Sequence, residues 1–330
     1  MRVLLGVGVL AAFLAIPADA AAPDGRIVFS REVGEQAELF SIRPDGSRLK
    51  RLTHAPGYDD RPAWSPNGRL IASFGVGGVV VRNADGSVVR RIAIPVEGFI
   101  EELQWSPDGR WLSYLVEHCQ YEEPRGYVLP PCADLWVVRA DGQGARRLLD
   151  REVDVLDDPS YAWSPGSRRL VYERLSTGPS GLAVVELRSG RHGRIRGTAR
   201  SADPSWSPSA EIAFVRGNDL FTVRLTGRGL KRLAQGKRLA RPVWSPDGRR
   251  LAYLADESTM GENRWGVWVV QADRRRRWRI GRATEGRQPV WSPDSKQLLW
   301  ENFLGRLMVA PSNRPSRARF LTRGSNPDWR

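Results

Sequence analysis

Trp244-Ser245-Pro246-Asp247-Gly248 decides the fold, because it is one of six near-copies in the chain. The others are Trp64-Ser65-Pro66-Asn67-Gly68, Trp105-Ser106-Pro107-Asp108-Gly109, Trp163-Ser164-Pro165, Trp206-Ser207-Pro208 and Trp291-Ser292-Pro293-Asp294. A seventh tryptophan follows at Pro327-Asp328-Trp329. Successive tryptophans stand 41, 58, 43, 38, 47 and 38 residues apart, which is the length of one four-stranded propeller blade. A period of this kind describes a scaffold, so any activity has to be argued from the loops it carries.

Between tryptophans each unit reads as four short strands. In the sixth, 250–255, 266–272, 277–281 and 288–292 alternate as strands, and the first matches it at 27–30, 38–43, 49–53 and 61–65. The long unit is complete as well, with strands at 111–117, 135–140, 145–149 and 161–163. Pro followed by Asp or Asn and Gly makes a tight turn, since Pro presets φ and Gly accepts positive φ. Asp45-Gly46, Asp85-Gly86 and Asp141-Gly142 mark the next hairpin in the same way. No useful helical period appears after residue 20.

The repeated Trp-Ser-Pro-Asp-Gly, with Pro62, Pro204, Pro242, Pro289 and Pro327 just ahead of five of the tryptophans, resembles the WD-repeat-like blades of the TolB family of β-propellers. The resemblance covers nearly the whole chain after residue 20 and implies a fold without implying an activity. The family's namesake carries an additional α/β domain before its propeller, for which the sequence leaves no room between Ala21 and Ile27. Related propellers in serine peptidases are followed by a hydrolase domain, and none follows here before Arg330.

The expectation is therefore an all-β chain forming a single propeller over 21–330, of seven blades, or six if the long unit is misdivided. By analogy with WD-repeat blades, the strand ending in Trp-Ser-Pro is innermost. The strands at 27, 38 and 49 then lack an inner partner, and 326–329 is an inner strand lacking outer ones. Together they complete one blade and close the ring. The seven tryptophans read as wedges between neighbouring sheets rather than as ligand contacts.

Residues 1–20 read as a secretory signal peptide: Arg2, an apolar run of 14 residues from Val3 to Ile16, then Ala18-Asp19-Ala20. The run falls short of the roughly 20 residues a membrane-spanning helix needs, although apolar length alone leaves an uncleaved anchor open. No cysteine near the cleavage site suggests a lipid anchor. Cys119 and Cys132 lie in the 58-residue interval and close a 14-residue loop, for which an exported protein predicts a structural disulfide. A metal site with His118 is the alternative, but no second His-Cys pair completes four ligands.

The formal charge is +14, and of 51 basic residues only Lys50, Lys231, Lys237 and Lys296 are lysines. Arginine suits bidentate pairing with carboxylates or phosphates. The densest run is Arg274-Arg275-Arg276-Arg277-Trp278-Arg279. Export takes such a run out of reach of most nucleic acid, which leaves anionic envelope polymers or lipid headgroups as accessible partners.

No Gly-x-Ser-x-Gly elbow, no metal-binding helix or Ca²⁺-loop motif and no cofactor motif occurs, and His54, His118 and His192 are the only imidazoles. No catalytic residue, metal or cofactor is assigned. The binding candidates are those the WD-like layout sets around the channel mouth, where outermost strands connect to the next innermost ones. They are the acids Asp59, Asp60, Glu101, Glu102, Asp157, Asp158 and Asp203, and the cations Arg61, Arg241 and Arg287. Gln288, Asn326, and loop residues Tyr121 and Trp265 share that rim. A concave mixed-charge mouth suits a peptide, glycan or protein loop. The leading expectation is an exported, non-catalytic interaction module binding a protein segment or an anionic polymer. The alternative is a propeller-type lyase or hydrolase using rim carboxylates and His54 or His118.

Overall fold

The computed structural model describes residues 25–54, 57–94, 99–118, 132–154, 161–174, 180–259, 264–284, 287–313 and 317–330. Its strands form seven four-stranded antiparallel blades around a ring. Blade 1 takes β1 (Ile27–Val33), β2 (Gln36–Ile42) and β3 (Lys50–Arg51). Blade 2 is β4 (Asp60–Trp64), β5 (Leu70–Gly75), β6 (Gly78–Asn83) and β7 (Val88–Ala93). Blade 3 is β8 (Phe99–Trp105), β9 (Trp111–His118), β10 (Cys132–Arg139) and β11 (Arg146–Asp154). Blade 4 is β12 (Tyr161–Trp163), β13 (Arg169–Arg174), β14 (Gly181–Glu186) and β15 (His192–Ala199). Blade 5 is β16 (Ser201–Trp206), β17 (Glu211–Arg216), β18 (Asp219–Arg224) and β19 (Lys231–Gln235). Blade 6 is β20 (Leu239–Trp244), β21 (Arg250–Asp256), β22 (Trp265–Gln271) and β23 (Arg277–Ala283). Blade 7 is β24 (Val290–Trp291), β25 (Gln297–Asn302), β26 (Arg306–Pro311) and β27 (Arg319–Arg323), and β28 (Ser325–Trp329) returns to blade 1.

The ring closes as the sequence predicts. β28 pairs antiparallel with β1, setting Ile27 opposite Trp329 and Val28 opposite Asp328. The long unit supplies the three outer strands of blade 3, β9 to β11, and the inner strand of blade 4, β12, as one complete repeat, so the count is seven. A single pair, Val153 with Arg174, links β11 to β13 between those two blades.

Two strands are shorter than expected, each for a local reason. β24 begins only at Val290, because Pro289 has no N–H to give to a ladder. β3 stops at Arg51, because the Leu39 N–H goes to the Thr53 hydroxyl at 2.9 Å instead of to a strand carbonyl.

Each repeat tryptophan serves one interface between blades. Trp64 packs with Val28, Leu39 and Leu52 of blade 1 and Ile71 of blade 2. Trp329 does the same for Ile27 and Phe29 against Leu299, Leu307 and Val309 of blade 7. The indoles of Trp105 and Trp291 donate to Ala63 O at 3.0 Å and Val243 O at 3.1 Å. Both acceptors are the residue just before the tryptophan of the preceding blade, so ring packing also fixes the spacing of neighbouring inner strands.

The rest of the repeat is a hydrogen-bonded turn. Ser106 Oγ donates to Asp108 Oδ1 at 2.6 Å and accepts the Trp111 N–H at 2.9 Å, while Asp108 Oδ1 accepts the Arg110 N–H at 3.1 Å. Ser65 with Asn67, Ser245 with Asp247 and Ser292 with Asp294 repeat it. Side-chain oxygens thereby satisfy turn donors that the ladder leaves over. These turns, with the hairpins joining the two outer strands, form one face of the ring, the turn face. The mouth face is the other.

Candidate mouth of the central channel

Inner strands enter the ring at the mouth face, and most enter through a β-bulge. The ladder register breaks between Asp60 and Ala63, Glu101 and Gln104, Ala202 and Ser205, and Ala240 and Val243. In each break sits a left-handed residue, three positions before the repeat tryptophan: Arg61 at φ 50°, Glu102 at 54°, Asp203 at 52° and Arg241 at 54°. Asn326, three before Trp329, has φ 48°. An L-residue in this region costs about 1–2 kcal/mol, and such strain is found where surrounding structure holds a side chain for a purpose. The sequence carries a signal for it: every residue three before a repeat tryptophan, Ser160 and Gln288 included, is polar.

These residues meet their neighbours across the mouth. Arg61 Nη2 lies 2.6 Å from Glu101 Oε2, joining β4 to β8. Arg241 Nη1 lies 4.0 Å from Asp203 Oδ1, and its backbone N–H donates to Asp203 Oδ2 at 3.1 Å. Asn326 Oδ1 accepts from Arg287 Nη1 at 2.6 Å while its Nδ2 donates to Asp60 Oδ1 at 3.0 Å. Arg287 Nε also approaches Glu301 Oε2 at 3.9 Å. The structure thus brings together Asp60, Arg61, Glu101 and Arg287 on one arc and Asp203 with Arg241 on another.

Burial pushes the Glu301 carboxyl up from its ordinary value, with Asp60 adding to the shift and Arg287 opposing it. Its Oε2 is buried and accepts no hydrogen bond among the described residues. The negative charge of Asp60, followed by burial, raises the Tyr58 phenol. Glu301 carries no signal in the sequence, because it lies on β25 and not on a connection. Tyr161 lies at the same end of β12, where its hydroxyl donates to Glu102 O and accepts from Ser113 Oγ at 3.0 Å. Burial takes that phenol well above its ordinary value.

Two rim candidates sit elsewhere. Asp59 is 6% exposed and holds Arg82 at 2.7 Å inside blade 2, which is a structural ion pair. Trp265 is 5% exposed and belongs to the core between blades 6 and 7. The apolar length of its strand, with Val267 and Val269 on the same side, draws that ring inward. Asp157, Asp158, Tyr121 and Cys119 lie outside the described residues, so the disulfide expectation does too, Cys132 being the first residue of β10. His54 is exposed beyond β3, at the outer edge of the mouth face, and His192 opens β15 on the turn face. Among the described residues no group of three His, Cys, Asp or Glu side chains is placed to hold a metal, and no helix is long and apolar enough to cross a membrane.

No family model matches the sequence. A "Protein TolB homolog" from Chlorobium chlorochromatii is 30% identical over 99 residues, 28% of this chain and 22% of that protein. The chain therefore matches less than a quarter of that relative's length. Among solved structures, TolB from Acinetobacter baumannii superimposes with a TM-score of 0.57 at 13% identity, covering 94% of this chain and 67% of that one. An oligogalacturonate lyase in complex with manganese gives 0.64 at 12% identity, covering 84% and 82%. At such identities the likeness is one of fold, and the fold these comparisons share with this chain is the TolB-like β-propeller.

Proposed function

We propose that the protein is an exported, non-catalytic interaction module that takes a segment of another protein into the channel mouth. The observation that carries this reading is the set of left-handed polar residues three before the repeat tryptophans. Strain of about 1–2 kcal/mol per residue is maintained at Arg61, Glu102, Asp203, Arg241 and Asn326. Donors and acceptors alternate around the mouth in local pairs, which suits the mixed polarity of a peptide backbone better than a uniformly charged ligand. Asn326 and Gln288 add amide groups able to bond a backbone in either direction.

The test is affinity capture from the native envelope or medium with tagged mature chain, 21–330, beside an Arg61→Ala/Arg287→Ala variant. A protein retained by the parent and lost by the variant supports the reading. Equal retention by both refutes it. Export rests on residues 1–20 and predicts a mature N-terminus within a few residues of Ala21, read by N-terminal sequencing. A disulfide between Cys119 and Cys132, proposed from export and the 14-residue loop they close, predicts no free thiol on non-reducing mass mapping.

A propeller-type lyase or hydrolase is the second reading, and Glu301 is the observation that favours it. A carboxyl held up by burial beside Asp60 and Arg287 is suited to general acid chemistry. Turnover of an acidic oligosaccharide or a peptide by the parent, abolished by Glu301→Gln, would carry it.

A further inference from the structure

The turn face holds charge of a different kind. The residue after each inner turn is Arg69, Arg110, Arg168, Arg249 or Lys296, all exposed, with Glu211 the one exception among the described turns. Between blades 6 and 7 this face opens into two adjoining clefts of about 490 and 460 Å³. Arg249, Arg276 and the half-buried Trp278 line the first, Lys296 and Arg317 the second. Arg250 and Asn313 are common to both.

The shared wall is built. Arg250 donates from Nη1 to Ser312 Oγ at 2.7 Å and from Nη2 to Ser295 O at 2.6 Å, with its guanidinium 5.2 Å from the centre of the Trp291 ring. Trp278 Nε1 donates to Ser312 O at 2.9 Å, tying β23 to the hairpin after β26. Both acids in the clefts are engaged locally. Burial pushes the Asp247 carboxyl up, but bonds from Ser245 and the Arg249 amide and the charge of Arg250 together hold it below its ordinary value. Asp294 behaves alike through Ser292 and Lys296. The exposed guanidiniums of Arg249, Arg276 and Arg317 have no carboxylate within ion-pair distance among the described residues.

We propose that these clefts form one groove that binds a linear polyanion bearing closely spaced phosphates, at a site independent of the mouth. Four cations are strung along two contiguous clefts, Lys296 lying 3.4 Å from Asp294 and the three arginines without a carboxylate among the described residues. They exceed what one small anion can engage, whereas successive phosphates can meet them in turn. Guanidinium forks match phosphate oxygens bidentately. A chain can lie along the recess between the blades, whereas a flat bilayer would meet the whole ring of turn-face cations.

The experiment is fluorescence anisotropy with labelled inorganic polyphosphate and, as a second phosphate source, oligothymidylate, each titrated against the mature chain across a salt series. The expected affinity for at least one chain falls with salt at a slope set by roughly four neutralised phosphates. Arg249→Gln/Arg276→Gln/Lys296→Gln/Arg317→Gln should weaken it at least about tenfold and flatten that slope. A variant of equal charge change on blades 3 and 4, Arg110→Gln/Arg168→Gln/Arg188→Gln/Arg191→Gln, should stay within about twofold. Equal weakening by the two variants overturns the groove in favour of a diffuse field. Binding to phosphatidylglycerol vesicles with neither chain bound overturns it as well. The double variant Arg276→Gln/Arg317→Gln, on exposed side chains, keeps the test decisive should the fourfold variant fold poorly, with a loss of about threefold expected.

Discussion

Asp328 of the returning strand accepts the backbone N–H of Trp64 at 2.6 Å, so the strand that completes blade 1 is also bonded to the innermost strand of blade 2. Its other oxygen accepts the Trp329 N–H at 2.8 Å. The closing segment is therefore held by its ladder with β1, by a side chain reaching the next blade, and by an indole wedged against blade 7.

Removing 326–330 should accordingly lower the melting temperature far more than trimming a free terminus, because β1 would lose its inner partner and expose a buried edge. Trp329→Ala alone should cost roughly 3–5 kcal/mol, as for a core aromatic. Thermal melts of both variants against the parent check this. A truncated protein melting within a degree or two of the parent would show that the ring does not depend on this strand.

The ion pair inside blade 2 gives a double-mutant prediction. Arg82→Met strands the buried Asp59 carboxylate and should destabilise by about 3–5 kcal/mol. Adding Asp59→Leu should recover most of that loss, since replacing both members of a buried pair by apolar groups is often near neutral. Denaturant titration of the three variants measures the coupling.

Glu301 gives a pH dependence. Its folded value lies above the ordinary one, so ionisation disfavours the folded state. The stability it permits is fully present below the ordinary carboxylate value and is lost as pH rises through the raised one. Glu301→Gln should therefore raise the melting temperature at neutral pH by about 1–2 °C, with the gain vanishing below the ordinary carboxylate range. A gain independent of pH would assign the effect to something other than the charge.

The fifth blade's turn carries Ala210 at φ 65°, where Gly68, Gly109 and Gly248 stand at 66–68° in other repeats. Ala210→Gly should relieve left-handed strain and stabilise by about 1 kcal/mol. The bond from its N–H to Ser207 O at 3.0 Å is unaffected by the change. Calorimetry of the single variant suffices.

The blade count, the strand order and the role of Trp329 in closure are legible in the sequence, because a recurring Trp-Ser-Pro turn encodes local geometry and each blade buries itself only against its neighbours. The mouth was legible in part. Asp60, Arg61, Glu101, Asp203, Arg241 and Arg287 come to it through topology alone, the inner strands all entering at one face. The partners of those residues were decided in three dimensions. Asp59 and Asp60 are adjacent in sequence, yet the fold buries Asp59, just before β4, against Arg82 and leaves Asp60, at the start of β4, to Asn326, 266 positions away. Glu301 carries no motif, and only its burial in the folded ring, with Asp60 beside it, makes its carboxyl unusual. The basic clefts join turns of two blades, Arg249 and Arg276 of one with Lys296 and Arg317 of the next. Charge composition is a property of the sequence, whereas the distance between charges on different blades is set by the ring.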